Sequence, residues 1–102
     1  GEAVAAMLPQ ADDAGRPVRV TMLTRAGCHL CATAQAAIEQ VLRYVQPPAG
    51  YARLDIDQVA DPIRGDLLVR YGEWLPVTFV DGRQHDYWVI DPDRLRQALE
   101  QV

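Results

Sequence analysis

Residues 18–31 have the sequence VRVTMLTRAGCHLC, an apolar and β-branched run that leads through a short turn to two cysteines. Pro17 precedes the run, whose composition predicts a buried strand over residues 18–24. From Leu30 onwards the apolar positions repeat with a helical period, until Pro47-Pro48 stops the helix. The stretch therefore predicts a strand, a turn and a helix, with both cysteines at the junction.

A second strand and a second helix are predicted downstream. Residues 51–57 alternate between apolar and polar side chains, as a half-buried strand does. Asp61-Pro62 favours a helix start, with Asp61 as the N-cap and Pro62 at the first helical position, and Gly72 is a natural stop. Because a helix joins them, the first two strands are expected to be parallel, with a right-handed connection.

The last third of the chain predicts a hairpin and a final helix. Residues 76–80 form the third strand, Asp81-Gly82 is a strong hairpin signal, and residues 84–89 return as the fourth strand. Asp91-Pro92 starts the last helix. The order β-α-β-α-β-β-α predicts an α/β domain with a four-stranded mixed sheet and three helices.

Length and charge narrow the class of protein. A chain of 102 residues fits one domain, which we place at residues 17–102. Residues 1–16 contain Pro9 and Gly15 and have no clear period, so they are predicted to be a disordered tail. All ten basic residues are scattered arginines and the net charge is −4, which does not suit nucleic acid as a partner.

The same composition gives an expected location. No run approaches the roughly 18 consecutive apolar residues of a membrane span, and residues 1–15 lack the features of a secretory signal. Two cysteines cannot form an extracellular disulfide scaffold. We expect a cytoplasmic monomer that does not bind membranes, in a compartment where a thiol pair can cycle.

Cys28 and Cys31 have a spacing that lets two thiols close a small disulfide ring and reopen it. A helix that begins at Cys28 would present backbone N–H groups to its sulfur and favour the thiolate. Cys28, expected to be the more exposed, is predicted to be the attacking thiol, and Cys31, one turn inside the helix, the resolving thiol. The alternative is a pair of inert thiols that happen to lie close together.

A CxxC pair between a strand and a helix of a βαβ unit is typical of thioredoxin-like redox proteins. The element order, without an additional N-terminal strand and helix, is similar to the glutaredoxin form of that fold. Residues 24–31 resemble the glutaredoxin active-site segment, and Trp74-Leu75-Pro76-Val77 lies where the superfamily has its cis-proline loop. Over about residues 17–102 the chain most resembles the small bacterial glutaredoxin-like family.

This resemblance implies a thiol–disulfide oxidoreductase that reduces or exchanges protein or low-molecular-weight disulfides. It places Leu75 and a cis Pro76 beside the thiols, where they meet an extended peptide or glutathione; the alternative is a trans proline that starts an edge strand. Arg25 lies where many glutaredoxins carry a basic residue, and would favour the Cys28 thiolate and bind a glutathione carboxylate. The alternative for Arg25 is a solvated surface side chain.

Two departures from the glutaredoxin pattern bear on glutathione. The region before the last helix, where a Gly-Gly pair is usual, is Trp88-Val89-Ile90-Asp91-Pro92 and has no glycine. The centre of the CxxC motif is His29-Leu30 instead of Pro-Tyr. Asp91 matches the family's acidic position, although its role as a helix N-cap ranks first. No tightly bound cofactor is expected, and the electron donor is either glutathione as co-substrate or a protein dithiol.

Some side chains near the cysteines allow two interpretations. An imidazolium at His29 would stabilise reduced Cys28, whereas a solvent-facing His29 would have little effect. Exposed Trp74 and Trp88 would dock substrate, but a packing role ranks first for both. Tyr87 is interpreted as structural.

Two other function classes use the same fold. The thiols could hold a metal, either zinc with His29 and His85 or an iron–sulfur cluster shared across a dimer. The domain could also be an adaptor that binds a partner without turnover. The intact CxxC motif argues for the redox class.

Overall fold

The apolar run over residues 18–24 forms the central strand of the computed structural model, which describes Val4 and residues 6–100. Its elements follow the predicted order. The strands are β1 (Val18–Thr24), β2 (Gly50–Asp55), β3 (Val77–Val80) and β4 (Arg83–Tyr87). The helices among the described residues include α1 (Cys31–Leu42), α2 (Ile63–Tyr71) and α3 (Pro92–Glu100).

The sheet is mixed, with strand order β2-β1-β3-β4. β1 is parallel to β2, with Thr24 opposite Asp55, and antiparallel to β3, with Leu23 opposite Val77. β3 and β4 form the predicted antiparallel hairpin. Asp81 and Gly82 at its turn have φ of 52° and 80°, the left-handed conformations that a type I′ turn requires. The α/β thioredoxin-like architecture predicted from the sequence is confirmed.

The side chains of β1 point alternately into two apolar clusters, one on each face of the sheet. Val20 and Met22 pack on one face with residues of α1 and α3. Leu23 packs on the other face with Leu67 of α2 and with Phe79. Both faces of β1 are therefore covered, which explains why the strand carries apolar side chains on both of its faces.

Arg19, near the start of β1, links this strand to the rest of the domain. Its guanidinium donates two hydrogen bonds of 2.8 Å to the Asp81 carboxylate in the hairpin turn. It also donates one of 2.7 Å to the carbonyl of Leu99 in α3. One side chain thus joins β1, the hairpin turn and the last helix.

Several element boundaries differ from the prediction. β4 spans Arg83–Tyr87 instead of residues 84–89. Two other differences have a local cause. β2 ends at Asp55 instead of reaching residue 57, because the Asp55 carboxylate accepts a hydrogen bond of 2.9 Å from the Asp57 N–H and starts a short 3₁₀ turn, Ile56–Gln58. The helix expected to begin at Pro62 begins at Ile63, with Pro62 itself at the cap. The Asp61 carboxylate, just before this helix, accepts a hydrogen bond of 3.1 Å from the Gly65 N–H in its first turn.

The N-terminal segment also differs from the prediction of a disordered tail over residues 1–16. Among its described residues, Val4 and Leu8 are buried against the α2 face of the sheet, in the cluster that contains Leu23 and Phe79. The chain reverses just before β1, where Ala11 and Pro17 form an isolated antiparallel bridge and the Val18 N–H donates to the Gln10 carbonyl at 3.0 Å. The apolar side chains of this segment cover a face that would otherwise be exposed. No helix among the described residues is long and apolar enough to cross a membrane.

Leu8→Ala tests whether the N-terminal segment is part of the folded domain. Leu8 is 7% exposed, so the truncation should lower the free energy of unfolding by about 2–4 kcal/mol, through lost burial and a cavity. Denaturant unfolding followed by circular dichroism measures this. Val69→Ala is the control, because Val69 is 89% exposed; its effect should stay within about 0.5 kcal/mol. Equal stability of the Leu8 variant and wild type would show that the segment does not pack.

Candidate active site

The two cysteines lie just beyond the end of β1 and form a disulfide, with the sulfur atoms 2.12 Å and the Cα atoms 5.5 Å apart. They differ in access to solvent. Cys31 is buried, at 4% exposure, within the cluster between the sheet and α1. Cys28 is partly exposed and packs against that cluster without being buried in it. Cys28 is the more accessible of the two, as the sequence predicts.

The turn that leads from β1 to the cysteines depends on a glycine. The Cys28 N–H donates to the Arg25 carbonyl at 3.3 Å, and Gly27 has φ of 80°, as position i+2 of a type II turn does. A side chain at this φ is strained. Because His29 and Leu30 form a further turn, α1 begins at Cys31. The prediction that the helix begins at Cys28 is therefore wrong: Cys28 precedes the helix, and Cys31 is its first residue.

Arg25 contacts a carboxylate that the sequence analysis did not single out. Its guanidinium lies 3.1 Å from Asp57, and the other oxygen of Asp57 accepts from the Ala26 N–H at 3.3 Å. Asp57 follows β2, whose last residue lies opposite Thr24, and this parallel register is the signal that would have placed it here. Both side chains are partly exposed, so the pair holds the turn without contributing much stability.

A shallow cavity of about 360 Å³ opens beside Cys28. Four of the residues predicted to form the site line it: Arg25, Cys28, His29 and Leu75. The Leu75–Pro76 peptide bond is cis, which confirms the sequence prediction, and Pro76 itself is buried and does not line the cavity. The structure thus brings the cysteine pair and the cis-proline loop together.

Asp91 is not among the residues that line this cavity. Its carboxylate accepts hydrogen bonds from the N–H groups of Asp93 at 3.0 Å and Arg94 at 3.3 Å, at the start of α3. This geometry confirms the N-cap interpretation. The carboxylate is thereby engaged with its own helix.

Three aromatic side chains beside the cavity form a cluster that we call the aromatic cluster: Trp74, Tyr87 and Trp88. The two indoles stack with ring centroids 5.2 Å apart, and the tyrosine meets both edge-on. Their exposures are 41%, 47% and 44% respectively. The rings pack on one another, as the packing interpretation predicts. Nearly half of each ring is also open to solvent, so the cluster presents an apolar surface beside the cavity.

Trp88 is held in an unusual backbone conformation, with φ of 64°. Its backbone N–H donates to the carbonyl of Pro76 at 2.9 Å, and its indole N–H donates to the carbonyl of Glu73 at 3.0 Å. Trp88 also lines the cavity beside Cys28. The cis-proline loop therefore fixes the aromatic cluster relative to the reactive sulfur.

Thr24, the last residue of β1, is a second residue that the sequence analysis missed. Its hydroxyl oxygen lies 2.8 Å from the sulfur of Cys31, and its side chain is buried. The available signal was a hydroxyl at the last position of the predicted strand, four residues before Cys28. The buried sulfur thus has a polar neighbour within hydrogen-bond distance.

A metal site would need a different arrangement of side chains. Within the described part of the chain, no three His, Cys, Asp or Glu side chains come together as metal ligands. The two cysteines are bonded to each other, and His85 lies in β4 with its Nε2 3.8 Å from Asp86. Burial lowers the pKa of His85, which favours the neutral imidazole. The zinc set suggested from the sequence is not assembled.

Sequence comparison finds distant relatives of the chain in bacteria. Three mycobacterial proteins, one from Mycobacterium bovis and two from strains of Mycobacterium tuberculosis, are each 35% identical to it over 83 residues. The alignment covers 79% of this chain and 81% of each relative. All three are described as uncharacterized. These matches show that the chain has homologues, and they do not identify an activity.

Solved structures show the same fold. An X-ray structure of the structural-genomics target XcR50 from X. campestris is 31% identical, with a TM-score of 0.58, and covers 81% of this chain and 97% of that one. A glutaredoxin from Archaeoglobus fulgidus is 12% identical, with a TM-score of 0.53 and coverage of 83% and 88%. This second likeness concerns the fold alone.

The family model of the glutaredoxin-like domain (DUF836) matches residues 19–100, from β1 to the end of α3. This range contains the CxxC pair, the cis-proline loop and the aromatic cluster. The chain therefore belongs to the glutaredoxin-like DUF836 family of the thioredoxin-fold superfamily.

Proposed function

We propose that this protein is a thiol–disulfide oxidoreductase in which Cys28 attacks and Cys31 resolves. The observation that carries the proposal is the asymmetry of the cysteine pair, with Cys28 open to a cavity and Cys31 buried behind it at disulfide distance. An inert buried pair would not need one sulfur at the surface. A structural staple would not need a cis-proline loop beside it.

The proposed reaction moves two electrons from the cysteine pair to a substrate disulfide. The Cys28 thiolate attacks one substrate sulfur, the substrate S–S bond breaks, and the first substrate thiolate leaves. The Cys31 thiolate then attacks Cys28 Sγ, the mixed disulfide breaks, and the second substrate thiolate leaves. The protein is left with the Cys28–Cys31 disulfide, the form seen in the structure, and both products take protons from solvent.

Each turnover consumes the reduced pair, so an external reductant is part of the proposal. One thiolate of a dithiol can attack Cys28 Sγ and displace the Cys31 thiolate, which leaves a mixed disulfide between the donor and Cys28. The donor's second thiolate then attacks the donor sulfur of this bond, the Cys28 thiolate leaves, and the donor ends as a disulfide. Two molecules of glutathione provide the same two electrons. We propose a dithiol as the more suitable donor, since the groups expected to hold glutathione are engaged elsewhere: Arg25 with Asp57, and Asp91 with the start of α3.

We further propose that the substrates are polypeptide disulfides with an apolar side chain near the reacting cysteine. The support is the surface around Cys28, where the aromatic cluster and the exposed Leu30 leave apolar area open to solvent. Partly exposed aromatic rings contribute to binding through large contact area and ring stacking. His29, exposed on the wall of the same cavity, adds a polar neighbour that can donate or accept a hydrogen bond.

Single-cysteine variants test the two assigned roles. Cys28→Ser should reduce the rate at which dithiothreitol reduces a disulfide-bonded peptide to the rate measured without protein, because no thiol remains at the cavity. Cys31→Ser should accumulate a covalent 1:1 adduct with the peptide, because the mixed disulfide is not resolved. Mass spectrometry of the intact protein measures the adduct, and the chain has no other cysteine to confuse it. Full activity of Cys28→Ser, or adduct formation through Cys31, would contradict the assignment.

Trp88→Ala tests the proposed substrate preference. Two peptides with the same disulfide are compared, one with Phe and one with Ser beside the cysteine. The variant should lose about three- to tenfold in kcat/KM for the Phe peptide, the contribution expected of one aromatic contact, and stay within about twofold for the Ser peptide. The control is Tyr44→Ala, because Tyr44 is 72% exposed and lies past the other end of α1. An equal loss for both peptides would refute the preference.

A further inference from the structure

We propose that Thr24 is a positioning residue for the resolving step, and that its hydroxyl donates a hydrogen bond to the Cys31 thiolate. This proposal rests on the redox function proposed above. Its basis is the distance of 2.8 Å between the Thr24 hydroxyl oxygen and Cys31 Sγ, with both side chains 3–4% exposed. The contact is shielded from water and involves the sulfur that must become nucleophilic.

The direction of the hydrogen bond follows from the chemistry of sulfur in each state. In the disulfide, Cys31 Sγ carries no proton, so the hydroxyl is the only possible donor. In the thiolate, the sulfur again has no proton and the hydroxyl must donate. A hydrogen bond to an ionised acceptor is roughly twice as strong as one to a neutral acceptor. The contact therefore stabilises the thiolate more than the thiol.

Burial makes this stabilisation important for Cys31. A thiol in apolar surroundings has a raised pKa, because the charged form loses its hydration. The cluster around Cys31 is built of apolar side chains from the sheet, α1 and α3: Val20, Met22, Ala34, Ile38, Leu95 and Leu99. The hydrogen bond from the Thr24 hydroxyl therefore offsets part of the free-energy cost of ionising the buried Cys31 thiol.

The fold keeps the hydroxyl in place. Thr24 ends β1, and its backbone is opposite Asp55 in the parallel register with β2. Threonine is branched at Cβ, which restricts its χ1 angle in a strand. The hydroxyl is thus directed at the sulfur by the sheet, independently of the turn that carries Cys28.

Other charged groups near the pair remain the same in every variant proposed below. The loop before Cys28 contributes the Arg25–Asp57 ion pair, His29 lies between the cysteines, Asp55 ends β2, and Glu73 lies across the cavity. α3 presents apolar Leu95 and Leu99 to the cluster around Cys31. Differences between the variants therefore report the hydroxyl.

In the resolving step, the Cys31 thiolate attacks Cys28 Sγ and a new S–S bond forms. The bond between Cys28 and the substrate breaks, and its electron pair leaves on the substrate sulfur. Thr24 keeps its proton throughout and acts by hydrogen bonding alone. By lowering the pKa of Cys31 it raises the fraction of thiolate at neutral pH and slightly lowers the reactivity of each thiolate.

Thr24→Val tests the proposal, because valine keeps the branched shape and removes the hydroxyl. Reduced protein is mixed with one equivalent of an aromatic disulfide whose leaving thiolate is coloured. The first released thiolate reports attack by Cys28, and the second reports resolution by Cys31. Rates of the second phase are measured across the pH range in which thiols ionise.

The expected result is a shift in the pH profile of the second phase. Loss of the hydrogen bond should raise the apparent pKa of this phase by about one unit. At pH 7 the rate should fall about threefold, because a tenfold loss of thiolate is partly offset by its higher nucleophilicity. At high pH, where Cys31 is fully ionised, the variant should be about threefold faster than wild type. A merely structural defect would lower the rate at every pH.

Two further variants keep the result interpretable. Thr24→Ser restores a hydroxyl and should return the profile toward that of wild type. Thr78→Val is the matched control, since Thr78 is a fully buried strand threonine whose hydroxyl has no hydrogen-bond partner among the described residues. It should leave the pKa of the second phase unchanged.

The possible failures can be told apart. If wild type releases no second equivalent, the redox function itself is wrong. If both equivalents appear and Thr24→Val has the wild-type pH profile, the role of Thr24 is wrong while the function stands. A uniform loss of rate in Thr24→Val, without a shift in pKa, would also overturn the proposal.

Discussion

The hydrogen bonding of β1 to a strand on each side is the constraint on which the site depends. β2 and β3 together fix where β1 ends, so the positions of Thr24 and the turn after it are set by the whole sheet. β2, the parallel partner, places Asp57 at that end of β1. β3, the antiparallel partner, begins there, so the cis-proline loop that precedes β3 lies at the same end. Each side chain near the sulfur atoms comes from a different element, but all of them are placed by the same register.

The sequence was sufficient where the signal was local. The composition of β1, the Asp81-Gly82 turn and the Asp91 cap each involve neighbouring residues, and the structure agrees with all three. It was insufficient where distant segments meet. Asp57 contacts the turn before Cys28 through strand register, and the N-terminal segment is ordered by a sheet face formed far along the chain. The periodicity of a short stretch of sequence predicts neither the Asp57 contact nor the packing of the N-terminal segment.

The start of α1 shows how a strong pattern misplaces a boundary. The apolar period begins at Leu30, but two consecutive turns carry the chain from β1 to Cys31, and Leu30 remains exposed outside the helix. Turn geometry, which depends on Gly27 at positive φ, decided where the helix could begin. The aromatic cluster was likewise hard to foresee, because it forms only when the end of β4 folds back over the loop before β3.

The unequal burial of the two sulfur atoms has a consequence for the order of events in the proposed chemistry. Only Cys28 can be reached from outside, so the electron donor and the electron acceptor must use the same atom. They cannot be bound there together. Each must leave before the other arrives, which is a ping-pong sequence with the oxidised and reduced protein as its two resting forms. In the proposed chemistry the donor and the acceptor therefore compete for one entrance, and the net direction depends on their reduction potentials and on the ratios of their oxidised and reduced forms.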